Sequence, residues 1–318
     1  MKYLYIVSSP HGGSTLLSHV LGRHPRATNL GEVSFVPKEL AMGELCTCGD
    51  RLDACREWGE IFDAVSARTQ VDLRAKPYGL YLGDAIKDKY GSGSVDNSYQ
   101  TTWRKVSAKL RGAVDTAALL GAPNRQLLSA STPRSVKESI GNTLLLYEIV
   151  AQVRSRDLVI DASKMPRKAP RLYLRDPARV RVLHMVRDGR GVLASRMKYM
   201  SPDRAVNRWS HYHRVTRRLL DRWIAPDARR RLRYEDFVSD PETHVKSLCA
   251  WLELDYSASM LQFAGADKEH SAGGNPARFR LKDGIRPPDE RWRTKLSAEQ
   301  LAMFERTAGK LNRELGYG

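Results

Sequence analysis

The 318-residue sequence has no run of about twenty apolar residues, so no segment has the length to cross a bilayer as a helix. The apolar stretch Tyr3-Leu4-Tyr5-Ile6-Val7 is too short for a signal-peptide core and leads straight into a turn, which predicts a cytoplasmic protein. Cysteine is scarce. Three of the four fall in Cys46-x-Cys48-x6-Cys55, with Cys249 far away, and a cytosolic chain keeps such thiols reduced rather than building a disulfide framework. Three thiols are one ligand short of a structural zinc site, and no fourth Cys or His lies near them in sequence. Buried or merely local thiols are the simpler reading, and no metal is expected.

Acidic residues are also in deficit, 36 Asp and Glu against 53 Lys and Arg, for a formal net charge of +17. That balance suits nucleic acid, anionic lipid or an anionic small molecule, and charge alone does not choose among them. Much of the excess lies between Arg204 and Arg233, on a helix and its exit, where a solvated basic face is the default reading. The 13 Tyr and 6 Phe show no nucleic-acid module pattern and no DNA-binding motif accompanies the basic residues, so a nucleic-acid partner is not expected.

What is present is an alternation of short apolar strands and amphipathic helices. Met1 to Ser8 reads as a buried strand, Pro10 to Gly13 as a glycine turn, and Ser14 to Leu21 as a helix with Leu16, Leu17, Val20 and Leu21 on its apolar side. Strand signals return at Leu158 to Ile160 and Val180 to Val186, each followed by a polar turn and a helical pattern, the alternation of parallel βαβ sheets. A loop at Gly91 to Ser98 and helices at Thr102 to Leu120 and Val136 to Val153 predict a helical insertion over about residues 72–155. Further helices are expected at Gly191 to Lys198, Asp203 to Trp223, Glu242 to Leu252 and Ala298 to Leu315. Between the last two, His270 to Pro288 is a long ligand-covering loop candidate. With no repeat and no linker, the expectation is one α/β domain over residues 1–318: three layers, P-loop-like, with a central parallel sheet between helices.

The turn Ser8-Ser9-Pro10-His11-Gly12-Gly13-Ser14-Thr15 sits where a strand ends and a helix begins, so free backbone N–H groups and the helix N-terminus face one anion. It lacks the Lys of a nucleoside-triphosphate loop: Ser14 follows Gly13, and Ser8 replaces the first Gly. A P-loop-like nucleotide kinase, with Asp161 as its metal-holding carboxylate, and a non-catalytic nucleic-acid-binding protein are the rival readings.

The turn resembles the first signature of the sulfotransferase superfamily, Pro-[Lys/Arg]-x-Gly-[Ser/Thr]-[Ser/Thr] between a strand and a helix, which Pro10 to Leu17 fits with His11 in place of the usual Lys or Arg. The second signature of that family is matched by Arg187-Asp188-Gly189-Arg190 and Ser195, directly after the strand Val180 to Val186. Further similarities are Gly31-Glu32, Asp161 to Pro166, Tyr234-Glu235-Asp236 and Gly273 to Arg278.

The resemblance implies a transfer of a sulfuryl group from 3′-phosphoadenosine 5′-phosphosulfate (PAPS) to a small-molecule or glycan acceptor, a hydroxyl above all, with no metal required. It implies that Gly12, Gly13, Ser14 and Thr15 bind the 5′-phosphosulfate, that Arg187 and Ser195 hold the 3′-phosphate, and that Asn275 and Arg278 lie in a nucleotide-covering loop. It further implies Glu32 as the base for the acceptor proton, Lys164 on the transferring sulfonate, and His11 at the position of the catalytic cation.

Overall fold

The computed structural model describes residues 1–83, 102–263 and 269–318. The predicted loop at Gly91 to Ser98 lies outside them. Five parallel strands form one sheet in the order β2-β3-β1-β4-β5: β1 Lys2–Ser8, β2 Ala27–Asn29, β3 Leu158–Asp161, β4 Val180–Val186 and β5 Arg229–Arg233. The central strand β1 pairs Tyr3 to Val180 on one side and Leu158 to Lys2 on the other. A strand so flanked, and covered on both faces, reads as a continuous apolar run.

The pleat of β1 divides the core in two. Tyr3, Tyr5 and Val7 face a cluster with Trp58, Phe62, Tyr147 and Val150, whereas Leu4 and Ile6 face Leu17, Val20, Leu21, Phe237 and Leu248 on the opposite side. These side chains are almost fully excluded from water, and each large aliphatic one contributes about 1.5–3 kcal/mol. The helices supplying the two layers are, in chain order, α1 Ser14–Gly22, α2 Val36–Ala41, α3 Arg56–Thr69, α4 Thr102–Gly121, α5 Arg125–Ser131, α6 Arg134–Val153, α7 Lys168–Arg175, α8 Gly189–Arg196, α9 Pro202–Trp223, α10 Tyr234–Ser239 and α11 Pro241–Leu252. The architecture is therefore the expected α/β layering, and the described chain between β2 and β3 is predominantly helical.

Three local expectations change. Arg229 to Arg233 is a strand: its backbone pairs in register with Val182 to Val186, and only Leu232 of the five residues is buried, so pairing to β4 prevails over the polar sequence. The helix expected over Ala298 to Leu315 is Ala298–Phe304, a wide π turn over Glu305–Gly309, and Lys310–Glu314. The amphipathic α3, with Trp58, Ile61, Phe62 and Val65 on its buried face, is an element the sequence reading passed over.

Candidate active site at the carboxyl ends of the strands

β1 delivers the turn Ser9 to Gly13 at its carboxyl end, and α1 leaves from it. Gly13 caps the helix at φ +91°, in contact range of the Tyr234 ring, where a Cβ has no room. His11 takes φ +66°, a left-handed conformation that costs a non-glycine residue about 1–3 kcal/mol and marks a turn held by its surroundings. No side chain caps α1, and its first intrahelical bond runs from Leu17 N to the Gly13 carbonyl at 3.1 Å. The N–H groups of Ser14, Thr15 and Leu16 thus lack intrahelical partners. The Ser9 and Ser14 hydroxyls are buried and have no hydrogen-bond partner in the fold. Orphaned donors around an uncapped helix start fit a tetrahedral anion.

β4 ends beside this turn and carries Arg187 to it. Arg187 Nη1 donates to the His11 carbonyl oxygen at 3.0 Å, Nη2 lies 3.4 Å from Asp289 Oδ2, and the guanidinium sits 4.9 Å above the Tyr234 ring. The two signature segments therefore meet in space, with Tyr234 packed against both. Ser195 lies further along α8, its hydroxyl donating to the Gly191 carbonyl at 2.9 Å, and a Cβ on Gly191 would lie 3.5 Å from Arg187 Nε. Asp289 is held well below the usual carboxylate range, chiefly by its hydrogen bond from Arg291, so it remains an anion beside Arg187.

β3 ends in Asp161, and the chain then turns through Ala162 and Ser163 to Lys164. Asp161 is fully buried and accepts from the Tyr147 hydroxyl at 2.5 Å, from Ser163 N at 2.7 Å and from the Ser163 hydroxyl. Burial raises its pKa, against the buried Lys168, whose Nζ donates to Ser34 Oγ at 2.9 Å. Ser34 N in turn donates to Ser163 Oγ at 3.0 Å. This network consumes the carboxylate that a kinase would aim at a metal, and it locks together the two segments that bear Glu32 and Lys164. Lys164 itself takes φ +65°, its carbonyl accepts from the Tyr212 hydroxyl at 2.7 Å, and its Nζ pairs with Glu32 Oε1 at 2.5 Å. Both side chains are largely buried.

The segment after His270 closes over this pair. Glu32 N donates to the Ala272 carbonyl at 2.8 Å, and Ala272 N to the Leu30 carbonyl at 3.0 Å. Gly274, at φ +94°, lies so close that a Cβ would sit 2.9 Å from Glu32 Oε1. Thr15, Glu32, Gly274 and Arg278 line one recess of about 10 Å³, room for a single water molecule. Arg278 is engaged within its own segment and with its neighbours, donating to the carbonyls of Gly274 at 2.9 Å and Leu45 at 3.2 Å, with Glu39 at 3.7 Å. Asn275 accepts from Arg278 N at 2.9 Å.

His11 is half-buried and its ring stacks 6.2 Å from Tyr199. Burial, first, and then the cations Arg196, Arg187 and Lys164 lower its pKa below 6.5, so the imidazole of the free protein is neutral at neutral pH. Beyond Lys164, Pro166, Arg167, Arg204, Arg208, His211 and Tyr212 line an open cleft of about 570 Å³.

The structure thus gathers His11, Gly12, Gly13, Ser14, Thr15, Glu32, Lys164 and Arg187 at one end of the sheet. Sequence reasoning missed the part of Tyr234, whose ring supports both Gly13 and Arg187, and of Tyr212, which ties α9 to Lys164. It also missed His270, which approaches Cys46 and Cys55.

A five-stranded parallel sheet with an uncapped helix start at its carboxyl edge and an arginine delivered from the neighbouring strand places the chain among the open α/β folds, which offer a ligand crevice at the carboxyl ends of their strands. Residues 95–258 match the sulfotransferase family, and the chain belongs to that family. The fold is similar to that of the sulfotransferase domain from the Synechococcus PCC 7002 olefin synthase, with 23% identity over 96% of this chain and 94% of that one and a TM-score of 0.50. It is likewise similar to the sulfotransferase domain from the curacin biosynthetic pathway, with 17% identity over 99% and 97% of the two chains and a TM-score of 0.50. No curated protein matches the chain.

Proposed function

We propose that the protein transfers a sulfuryl group from PAPS to an acceptor hydroxyl, as a single sulfotransferase domain. The observation that carries the reading is the hydrogen bond from Arg187 to the His11 carbonyl, which sets a forked cation beside the helix start whose Ser9 and Ser14 hydroxyls want partners. One donor molecule with a phosphate on the 3′ oxygen and a phosphosulfate on the 5′ oxygen of its ribose would span those two features, and its roughly four negative charges use part of the basic excess.

In this reading the N–H groups of Ser14 and Thr15 and the Ser14 hydroxyl hold the 5′-phosphosulfate, and Arg187 with Ser195 holds the 3′-phosphate. Asn275 and Arg278 act from the covering segment, Arg278 by bracing it through Gly274 and Leu45. Glu32 takes the acceptor proton, Lys164 neutralises the sulfonate oxygens, and His11 donates a hydrogen bond to the oxygen that bridges sulfur and phosphorus. The acceptor oxygen forms its bond to sulfur as the sulfur–oxygen bond to the 5′-phosphate breaks. The electron pair leaves with adenosine 3′,5′-bisphosphate, and the proton resides on Glu32. The Glu32–Lys164 pair must part to admit the sulfonate, which preserves charge balance because an anion replaces the carboxylate beside the ammonium. The basic cleft beyond Pro166 is where the acceptor would enter, a small molecule or glycan end.

Calorimetric titration with adenosine 3′,5′-bisphosphate, adenosine 5′-phosphate and ATP tests the donor. Binding of the bisphosphate tighter than both others without added Mg²⁺ is expected, and equal or tighter binding of ATP that requires Mg²⁺ overturns it in favour of the kinase reading. Labelled donor offered to alcohols, phenols, amines and glycans then identifies the acceptor class.

A further inference from the structure

The thiols of Cys46, Cys48 and Cys55 and the imidazole of His270 come together beside the active site, although His270 is 215 residues from Cys55. Cys48 Sγ lies 3.7 Å from Cys55 Sγ, Cys55 Sγ 3.2 Å from His270 Nδ1, and Cys46 Sγ 3.9 Å from His270 Nδ1. All four atoms lie within 4.8 Å of one another, and the three cysteines are buried and form no disulfide. A zinc ion bonded at about 2.3 Å to sulfur and about 2.0–2.1 Å to nitrogen in tetrahedral geometry requires sulfur–sulfur edges of about 3.8 Å and sulfur–nitrogen edges of about 3.5 Å. The three measured edges scatter about those values.

The backbone around the cluster is built to present it. Leu45 bridges Arg51 across a tight hairpin whose tip is Cys46 to Asp50, with Cys46 N donating to the Asp50 carbonyl at 2.9 Å and Gly49 N to the Cys46 carbonyl at 3.0 Å. Cys55 is the N-cap residue just before α3 and makes no side-chain cap to it, which leaves its sulfur free to turn inward. The hairpin is joined to the His270 segment by Ser271 N donating to Thr47 Oγ1 at 2.9 Å and Thr47 N to the Ser271 carbonyl at 3.2 Å. Arg154 is buried against Trp58, with its ring-to-guanidinium distance 5.9 Å, and Nη2 donates to the His270 carbonyl at 3.3 Å. Arg154, which also pairs with Glu57 Oε2 at 3.4 Å, sets a buried cation beside the single net negative charge of a divalent ion with three thiolates and a neutral imidazole.

We propose that Cys46, Cys48, Cys55 and His270 bind one Zn²⁺ ion as a closed, tetrahedral Cys₃His site that fixes the segment covering Glu32. Uptake forms three zinc–sulfur bonds and one zinc–nitrogen bond through His270 Nδ1, and the three thiol protons go to solvent. Four protein ligands leave no open position, so the ion is structural rather than catalytic. Its leverage is local: two residues past His270, Ala272 accepts from Glu32 N, and Gly273 and Gly274 pack on the Glu32 side chain. The metal therefore anchors to α3 and the hairpin the stretch that positions Glu32, independently of which donor the enzyme uses.

The full-length protein, purified under reducing conditions, is analysed for metal by mass spectrometry and by X-ray absorption at the zinc edge. About one zinc per chain is expected, with three sulfur neighbours at about 2.3 Å and one nitrogen at about 2.0–2.1 Å. Exchange into Co²⁺ should give the visible bands of tetrahedral sulfur ligation. His270→Ala should lose the metal, His270→Cys should keep it with four sulfur neighbours, and chelation should speed amide hydrogen exchange at Ser271 to Gly274. Protein that carries no zinc and takes up neither Zn²⁺ nor Co²⁺ overturns the proposal. So does a zinc content that is unchanged in both Cys48→Ser and His270→Ala.

Discussion

Arg187 Nη1 donates 3.0 Å to the carbonyl oxygen of His11, and that bond ties together the segments that leave the carboxyl ends of β1 and β4. Because the guanidinium is mostly buried and rests on the Tyr234 ring, its position is fixed without any ligand. If it holds a 3′-phosphate, Arg187→Ala should weaken adenosine 3′,5′-bisphosphate binding by about 1.5–3 kcal/mol, the range of a charged hydrogen bond, and adenosine 5′-phosphate binding far less. Calorimetry with both nucleotides checks this, and equal losses would remove the assignment.

Asp289 competes for the same guanidinium at 3.4 Å and stays ionised through its hydrogen bond from Arg291. An incoming phosphate must share Arg187 with that carboxylate or displace it. Asp289→Asn should therefore tighten bisphosphate binding by about 3–10-fold at low salt, with less effect at high salt, in keeping with a partly exposed pair. A loss of affinity instead would show that Asp289 serves to orient Arg187.

Glu32 and Lys164 are paired at 2.5 Å under Gly274, held by the Asp161–Ser163–Ser34 network. Glu32→Gln keeps the shape and removes the proton acceptor, so if Glu32 is the base kcat should fall on the order of 10²–10⁴ while donor affinity stays close to normal. A fall in donor affinity with unchanged kcat would make Glu32 a binding group only.

The fold and the first half of the candidate site were legible because their signals are local. Gly12, Gly13, Ser14 and Thr15 sit within one turn between an apolar strand and an amphipathic helix, and Arg187 directly follows β4. The remainder depends on distant partners. Asp161 is indistinguishable in sequence from a metal-holding carboxylate until Tyr147 and Ser163 are seen to occupy it. His270 becomes the fourth neighbour of three thiols only through the pairing of Thr47 with Ser271. β2, three residues long, and β5, with four arginines in five residues, carry too little apolar periodicity to announce a strand.

The buried His184–His213 pair should lower stability in acid. Nε2 of His184 lies 2.9 Å from Nδ1 of His213, and burial drives both pKa values down, that of His213 to about 3. The unfolded chain binds protons at these sites below about pH 6.5 while the native state does not, so stability is full above that pH and is lost as pH falls toward 3. Each such site contributes a slope of up to about 1.4 kcal/mol per pH unit. Chemical denaturation between neutral pH and mild acid should show this decline, and a His184→Gln, His213→Gln variant should show a shallower one. An equal slope in the variant would place the acid sensitivity elsewhere.

His11 offers the sharpest test of the chemistry. In the free protein its pKa is lowered by burial and by Arg196, Arg187 and Lys164, so the imidazole is neutral at neutral pH before any ligand binds. A phosphosulfate bound at this turn would bring negative charge to the imidazole and raise its pKa, which would make any imidazolium a product of donor binding. Activity that needs the cation should be high below the pKa of the complex and decline as pH rises through it. Replacement by Lys, charged throughout that range, should move the alkaline limb of the kcat profile upward. Replacement by Ala should lower kcat by about 10²–10³-fold, the loss on removing one donor that meets developing charge. His11 also holds φ +66°, so His11→Asn, whose side chain tolerates that conformation and still donates, separates turn geometry from charge. Asn should retain more activity than Ala and show no alkaline limb attributable to position 11. Wild-type kcat and an unchanged pH profile in His11→Ala would leave the backbone amides of the turn and Lys164 to stabilise the transition state by themselves.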